Sequence, residues 1–256
     1  MIFEVEVLKV FLLVLVRFSG LIVAAPVLGS ANFPARAKIG LAILGAMVIV
    51  PTLPALVEPL PDEAVHFTLI ATGELIIGLM MGFVMTLVFA AIQVAGEIMD
   101  MQTGFSLMNV FNPALETQVP IFGFMFFIIA ALYLFVLDGH HLMIQALVSS
   151  YIKIPIGGFV LRPALLREVS TWGSAMFYDG LLVAAPVAGA MLLAYTTLGI
   201  LSRLIPQIHL FVVGFPLTIA LGLLVAALSM QVYVGMLDGM FSRMFKDVSN
   251  LIRGMS

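Results

Sequence analysis

Arg17 and Glu74 are the residues most at odds with their neighbours in this sequence, each a lone charge inside a long apolar run. A charge at the centre of a bilayer costs about 2.5–3.5 kcal/mol on insertion scales, so each needs an opposite charge, a polar partner or an aqueous face. Arg17 lies eight residues beyond Lys9, near enough for its long side chain to reach an interface, yet Phe18 to Leu28 continue apolar beyond it. That continuation favours burial against another subunit. Glu74 poses the same question.

A second polar feature is the stripe Gln93, Glu97, Asp100 and Gly104, spaced i, i+4, i+7 and i+11. If a helix continues past Gly96, these residues share one of its faces, which lipid would not tolerate. Two readings stay open. Either the helix leaves the apolar layer here and its carboxylates meet water, or the face lines a translocation path or a subunit contact.

Other chemistry lacks its parts. Asp138, His140 and His141 end one apolar run, but adjacent histidines with no spaced carboxylate or cysteine do not complete a metal shell. The chain has no cysteine, so disulfides, thiolate sites and cysteine nucleophiles are excluded. There is no His-Glu-x-x-His helix, no Gly-x-Ser-x-Gly elbow and no P-loop. Ser106 follows Gly104 and Phe105 without a histidine whose spacing would make it a base. An intramembrane hydrolase therefore has no visible nucleophile and base to work with. A net charge of −3 without a Lys/Arg block lacks the electrostatic footprint of a nucleic-acid binder.

The elements that must position these residues are membrane helices. Hydrophobic residues make up 62% of the 256 and charged residues 10%, a balance that one water-soluble core could not hide. The expected class is an all-α integral membrane protein. A crossing needs roughly 20 mostly apolar residues, and six runs meet or approach that: Val10 to Leu28, Ile39 to Val57, Phe67 to Ala95, Val119 to Leu137, Ser174 to Leu201 and Ile208 to Leu237. The first is expected to be a retained helix, because Glu4 and Glu6 precede Lys9 where a signal peptide wants a positive start.

Polar links separate the runs. Residues 29–38 and 58–66 read as turns, 96–118 as a loop too polar and broken for a lipid-facing helix, and 151–172 as the most water-like stretch and an internal boundary. Alternating six simple spans leaves three cationic residues on one side and seven on the other, which favours cytoplasmic termini. Positive links on both sides and the length of Phe67 to Ala95 keep helical hairpins, kinks and partial burial open.

Two Gly-xxx-Gly pairs, Gly78 with Gly82 and Gly235 with Gly239, clear a helical stripe for close approach of another backbone. At about 100° per residue from Met240, the side chains of Met240, Phe241, Met244, Phe245, Val248, Leu251 and Ile252 fall on one face and the polar ones on the other. An amphipathic helix over about 240–253 follows, lying on a membrane surface or against a partner.

Taken in order, the short motifs resemble the FliR family over nearly the whole chain. They are Arg17, Ala25-Pro26-Val27-Leu28, Phe33-Pro34-Ala35-Arg36, Lys38-Ile39-Gly40-Leu41, Gly82-Phe83, and Ala95-Gly96-Glu97 with Gln102, Gly104 and Ser106. Further on come Phe111-Asn112-Pro113, where the family shows Asp-Pro, and Asp138-Gly139-His140, where it shows Asn-Gly-His. Leu198 to Arg203, Pro206-Gln207, Phe211 and Gly214-Phe215-Pro216-Leu217 form the most specific block.

The resemblance implies a non-enzymatic subunit, without cofactor, of the flagellar type III protein-export gate in the bacterial inner membrane and flagellar basal body. Its partners would be FliP and FliQ in a helical hetero-oligomer, FlhB, membrane lipid, and unfolded flagellar proteins in transit. It implies long kinked helical hairpins: a FliP-like part over 1–150, a polar connection over 151–173, and a FliQ-like part over 174–256. It also implies a plug loop at about 104–118, for which Phe105, Ser106, Leu107, Met108, Phe111, Asn112 and Pro113 are the matching residues. Arg17, Gln93, Glu97, Asp100, Arg203 and Gln207 are the candidates for a polar stripe or subunit contact. Two alternatives remain: the equivalent subunit of virulence-type secretion, and a small-solute secondary transporter motivated by Arg17, Glu74 and glycine-broken helices.

Overall fold

Long apolar runs free of paired breakers become long helices. The computed structural model describes residues 2–53, 60–106, 120–160, 162–205 and 210–255, and every regular element among them is helical. In chain order these are α1 (Ile2–Ala24), α2 (Ala35–Ile49), α3 (Ala64–Thr103), α4 (Ile121–Val136), α5 (Gly139–Lys153), α6 (Pro163–Leu204) and α7 (Leu210–Gly254). A 3-10 turn, Val50–Thr52, ends α2 where Pro51 enters. The chain is an all-α integral membrane protein: among the described residues five helices are long and apolar enough to cross a membrane, or six spans if α4 and α5 form one broken span.

The six simple crossings need correction in their bounds. At about 1.5 Å per residue, α3 with 40 residues, α6 with 42 and α7 with 45 are each about 60 Å or longer, twice the hydrocarbon thickness. Helix α3 does not break at Gly96 but runs on to Thr103. Gly96 is a packing position: a Cβ there would lie 2.1 Å from the Cα of Gly123. The stretch 151–172 is likewise mostly helix, since α5 extends to Lys153 and α6 opens at Pro163. Proline is favoured at a first helical position because its missing N–H has no partner there anyway. Pro186 and Pro216 lie inside α6 and α7, each removing one helical hydrogen bond.

The chain forms two compact units: Met1–Leu87 with Phe135–Trp172 and Ser242–Ser256, and Val88–Leu134 with Gly173–Phe241. In the first, α1 lies against the start of α3 at glycine contacts. A Cβ at Gly20 would meet the Leu75 carbonyl, and one at Gly78 the Arg17 carbonyl at 2.1 Å. Gly82 meets Ala24 in the same way, and Phe18 fills the space over Gly45 of α2. Leu13, Val14, Ile77, Met81 and Leu147 complete this interior.

The last turns of α7 also belong to this unit. The amphipathic face read over 240–253 exists, but it is not a separate helix on a membrane surface. It is the end of α7, and Met244, Val248, Leu251 and Ile252 are buried within the chain. Asp247 accepts a hydrogen bond from Trp172, so the neighbouring element is the first part of α6.

In the second unit Phe89, Ile92, Met99, Phe122 and Phe126 are buried. The Phe126 and Tyr233 rings stand 4.4 Å apart, and the Tyr233 hydroxyl donates to the Phe126 carbonyl at 2.8 Å. A tyrosine buried among apolar side chains needs such an acceptor.

Candidate functional site

Among the described residues, each unit holds a buried polar centre. In the first, Arg17 and Glu74 are fully buried and paired, with Arg17 Nε donating to Glu74 Oε2 at 2.6 Å. Arg17 Nη1 donates to Ser150 Oγ at 2.9 Å and Nη2 to the Ile154 carbonyl at 3.2 Å. The Ser150 hydroxyl both accepts from Arg17 and donates to the Leu147 carbonyl at 2.6 Å. Glu74 Oε1 accepts from the Gly157 amide at 3.1 Å. The guanidinium lies 4.0 Å from the centre of the Tyr151 ring, a cation–π arrangement that gains strength away from water.

This corrects the expectation that another subunit covers Arg17. The covering group is Glu74 of the same chain, brought to it because Gly20 and Gly78 let α1 and α3 approach at backbone distance. Ile154 caps the C-terminus of α5 just past Lys153, so its carbonyl is one of the acceptors a helix terminus leaves unmatched, and a cation is favoured there.

The second centre surrounds the end of α3. The Asp100 carboxylate accepts from the Phe122 amide at 3.2 and 3.3 Å, and so caps the first turn of α4. The Tyr195 hydroxyl of α6 donates to the Gln102 carbonyl at 2.7 Å. The Thr218 hydroxyl of α7 lies 3.1 Å from the Thr103 carbonyl. These last carbonyls of α3 would otherwise be unmatched. Gly104 then turns the chain at φ 96°, where a Cβ would be strained and would also strike the Phe215 ring. Gly222 leaves room for the Thr103 side chain, and the Phe105 and Phe122 rings meet edge to face at 5.6 Å.

The residues singled out from sequence therefore divide. Gln93 and Glu97 are exposed while Asp100 is buried, because the first turn of α4 covers the stripe only at its last carboxylate. Asp100 is thus an internal cap rather than a subunit contact. Arg203 is exposed in the last turn of α6. Of the plug candidates, Phe105 and Ser106 are half-buried, whereas Leu107, Met108, Phe111, Asn112 and Pro113, like Gln207, lie outside the described residues.

Gly78 and Gly82 hold α1 as their spacing implied, but a Cβ at Gly235 or Gly239 would meet no described atom within 4 Å. Near the histidines, Asp138 takes a left-handed conformation with φ 52° at the break between α4 and α5, and the His140 ring sits 5.8 Å from that of Phe135.

Sequence reading missed Ser150, Tyr151, Ile154, Gly157, Tyr195 and Thr218. Ser150 and Tyr195 sit in helices as ordinary surface-type residues, and two of the contacts use backbone atoms, which no side-chain pattern announces.

Fold and site together define an all-α integral membrane protein in which Asp100, Tyr195 and Thr218 serve helix ends and Arg17 and Glu74 form a buried ion pair. The chain belongs to the bacterial export proteins, family 1, whose model matches residues 8–244. It is 33% identical to the flagellar biosynthetic protein FliR of Escherichia coli over 93% of this chain and 90% of that one. It is 31% identical to FliR of Bacillus subtilis over 97% and 96%, and 31% identical to FliR of Caulobacter vibrioides over 86% and 87%. The likeness read from the ordered motifs is borne out, and it sets the chain among the export-apparatus proteins of flagellar biosynthesis.

Proposed function

We propose that this chain is a structural and gating subunit of the flagellar type III export gate in the bacterial inner membrane. It helps form the conduit for unfolded flagellar proteins, and the stretch 105–113 closes that conduit while nothing is in transit. No bond is made or broken in this role. The observation that carries the reading is the fixed base on either side of residues 107–119. Asp100 fastens the start of α4 to α3, and Tyr195 and Thr218 fasten the end of α3, so both helix ends that flank this stretch are anchored. Phe105, Leu107, Met108 and Phe111 supply apolar bulk for closure, with methionine suited to an irregular lumen.

FliP and FliQ are the proposed neighbours in one hetero-oligomer, with a FliP-like part over 1–150 and a FliQ-like part over 174–256, and FlhB is proposed to dock on that assembly. The exposed apolar side chains Leu192, Leu193, Leu224 and Leu228 on α6 and α7, together with Gly235, where a Cβ would meet no described neighbour, supply surface for helix partners as well as lipid.

The transporter reading drew on Arg17, Glu74 and glycine-broken helices, and the pairing of the two charges inside the chain leaves it with less support. The virulence-type reading has less support than the flagellar one, since the relatives named above carry the flagellar name. Co-expression with FliP and FliQ of the same organism tests the assembly. The three are expected to co-purify after mild solubilisation, whereas recovery of this chain as an active solute carrier on its own contradicts the reading.

A further inference from the structure

We infer that the Arg17–Glu74 pair is a latch that fastens the segment 154–157 to the α1–α3 pair, with Arg17 and Glu74 as positioning residues. The bond pattern carries this. Among the described residues, one hydrogen bond joins the two charges, and three lead outward from the pair, to Ser150 Oγ, Ile154 O and Gly157 N. Those three partners lie 133 and 137 residues beyond Arg17 and 83 beyond Glu74 in the chain.

The contact between α1 and α3 does not depend on the charges, because Gly20, Gly78 and Gly82 bring the two backbones together by shape. What the charges add is a set of directed bonds for a segment that has few other reasons to stay. Pro155, Gly157 and Gly158 are exposed, and Gly157 has φ 82°. Apolar packing in this stretch comes from Ile154, which is fully buried, and from Phe159, whose Cβ lies 3.2 Å from where a Cβ on Gly73 would be.

The latch also works in the other direction. Before residues 150–157 are in place, the Arg17 Nη groups and Glu74 Oε1 lack these partners in an apolar interior, which is costly for charged groups. The early helices and the later segment therefore complete each other, and the unit closes only when α5 has docked.

Trypsin reads the latch directly. Lys153 is exposed, and the bond after it leads into the buried Ile154, whose carbonyl Arg17 holds. Lys246, exposed on α7, serves as the internal control. The full-length chain, co-expressed with its export-apparatus partners, is digested in membranes opened on both faces. Arg17→Lys keeps a charge for Glu74 but loses the planar fork that reaches Ser150 and Ile154 together.

Cleavage after Lys153 is expected to rise about tenfold, the equivalent of one charge-assisted hydrogen bond in the open population, with cleavage after Lys246 unchanged. Arg17→Met/Glu74→Leu, which removes both charges at once, is expected to give the same selective rise. Native resistance at Lys153, an equal rise at both sites, or failure of both variants to accumulate overturns the latch. None of these outcomes involves closure of the conduit.

Discussion

The carboxylate of Asp100, three residues before the end of α3, accepts the backbone amide of Phe122 in the first turn of α4 at 3.2 Å. A side chain on one helix thus caps the next across 22 residues of chain. Asp100 is 2% exposed, so removing its oxygens leaves buried amides without an acceptor.

Asp100→Ala is therefore expected to destabilise the second unit by about 1–3 kcal/mol, and Asp100→Asn by less because an amide oxygen can still accept. Amide exchange at Ile121, Phe122 and Gly123 in the purified assembly checks this. Unchanged protection there would show that the cap carries no weight.

The hydroxyls of Tyr195 and Thr218 hold the last carbonyls of α3. Tyr195→Phe is expected to cost about 0.5–1.5 kcal/mol, since its partly exposed site lets water replace the bond. Thr218→Val, at a buried site, is expected to cost more by stranding the Thr103 carbonyl. Thermal unfolding of the solubilised complex should rank the two in that order.

The two glycine pairs should part company. At Gly78 a Cβ would sit 2.1 Å from the Arg17 carbonyl, so Gly78→Ala is expected to cost about 1–3 kcal/mol or more through overpacking, and the chain should fail to accumulate. Gly235→Ala and Gly239→Ala meet no described atom of this chain. Each is expected to leave accumulation unchanged and to reduce co-purification of partner subunits. Loss of the chain itself in those two variants would contradict this division.

Acid should act on the pair of half-buried Lys9 and exposed Asp62 in a narrow window. The Lys9 ammonium, by hydrogen bond and charge, holds the Asp62 carboxyl below its ordinary value of 3.8. A carboxylate whose folded value is depressed stabilises the fold above its unfolded value and loses that contribution as pH falls through the folded one. The contact is thus expected to persist across neutral pH and to release only below about pH 4. Carboxyl chemical shifts of Asp62 should titrate higher in Lys9→Met than in the native chain.

Much of this was legible in the residues. Arg17 and Glu74 each announced a need for a partner, because lone charges in apolar runs are costly. That they answered each other was hidden, since nothing local links positions 57 apart. The period of the α7 tail gave the buried face correctly, but periodicity says which side is apolar and not what covers it. Angular arithmetic placed Gln93, Glu97 and Asp100 together. Only the position of the next helix start decides that Asp100 is buried while the other two meet the surroundings.

Hydropathy cut α3 short at Gly96 because polar residues follow, whereas in the structure those residues stay helical. Gly96 is small there because Gly123 is close. The family motifs carried more than any single spacing, since an ordered set over the whole chain is specific where each piece is not.

Ion leakage through the assembled gate tests the central claim most directly. Deleting residues 105–113 from this chain, in membranes carrying the complete export apparatus, is expected to raise permeability to small ions and solutes above that of the native assembly. Membranes that stay as tight as native ones, with the variant present at native level and still bound to its partners, would contradict the gating role.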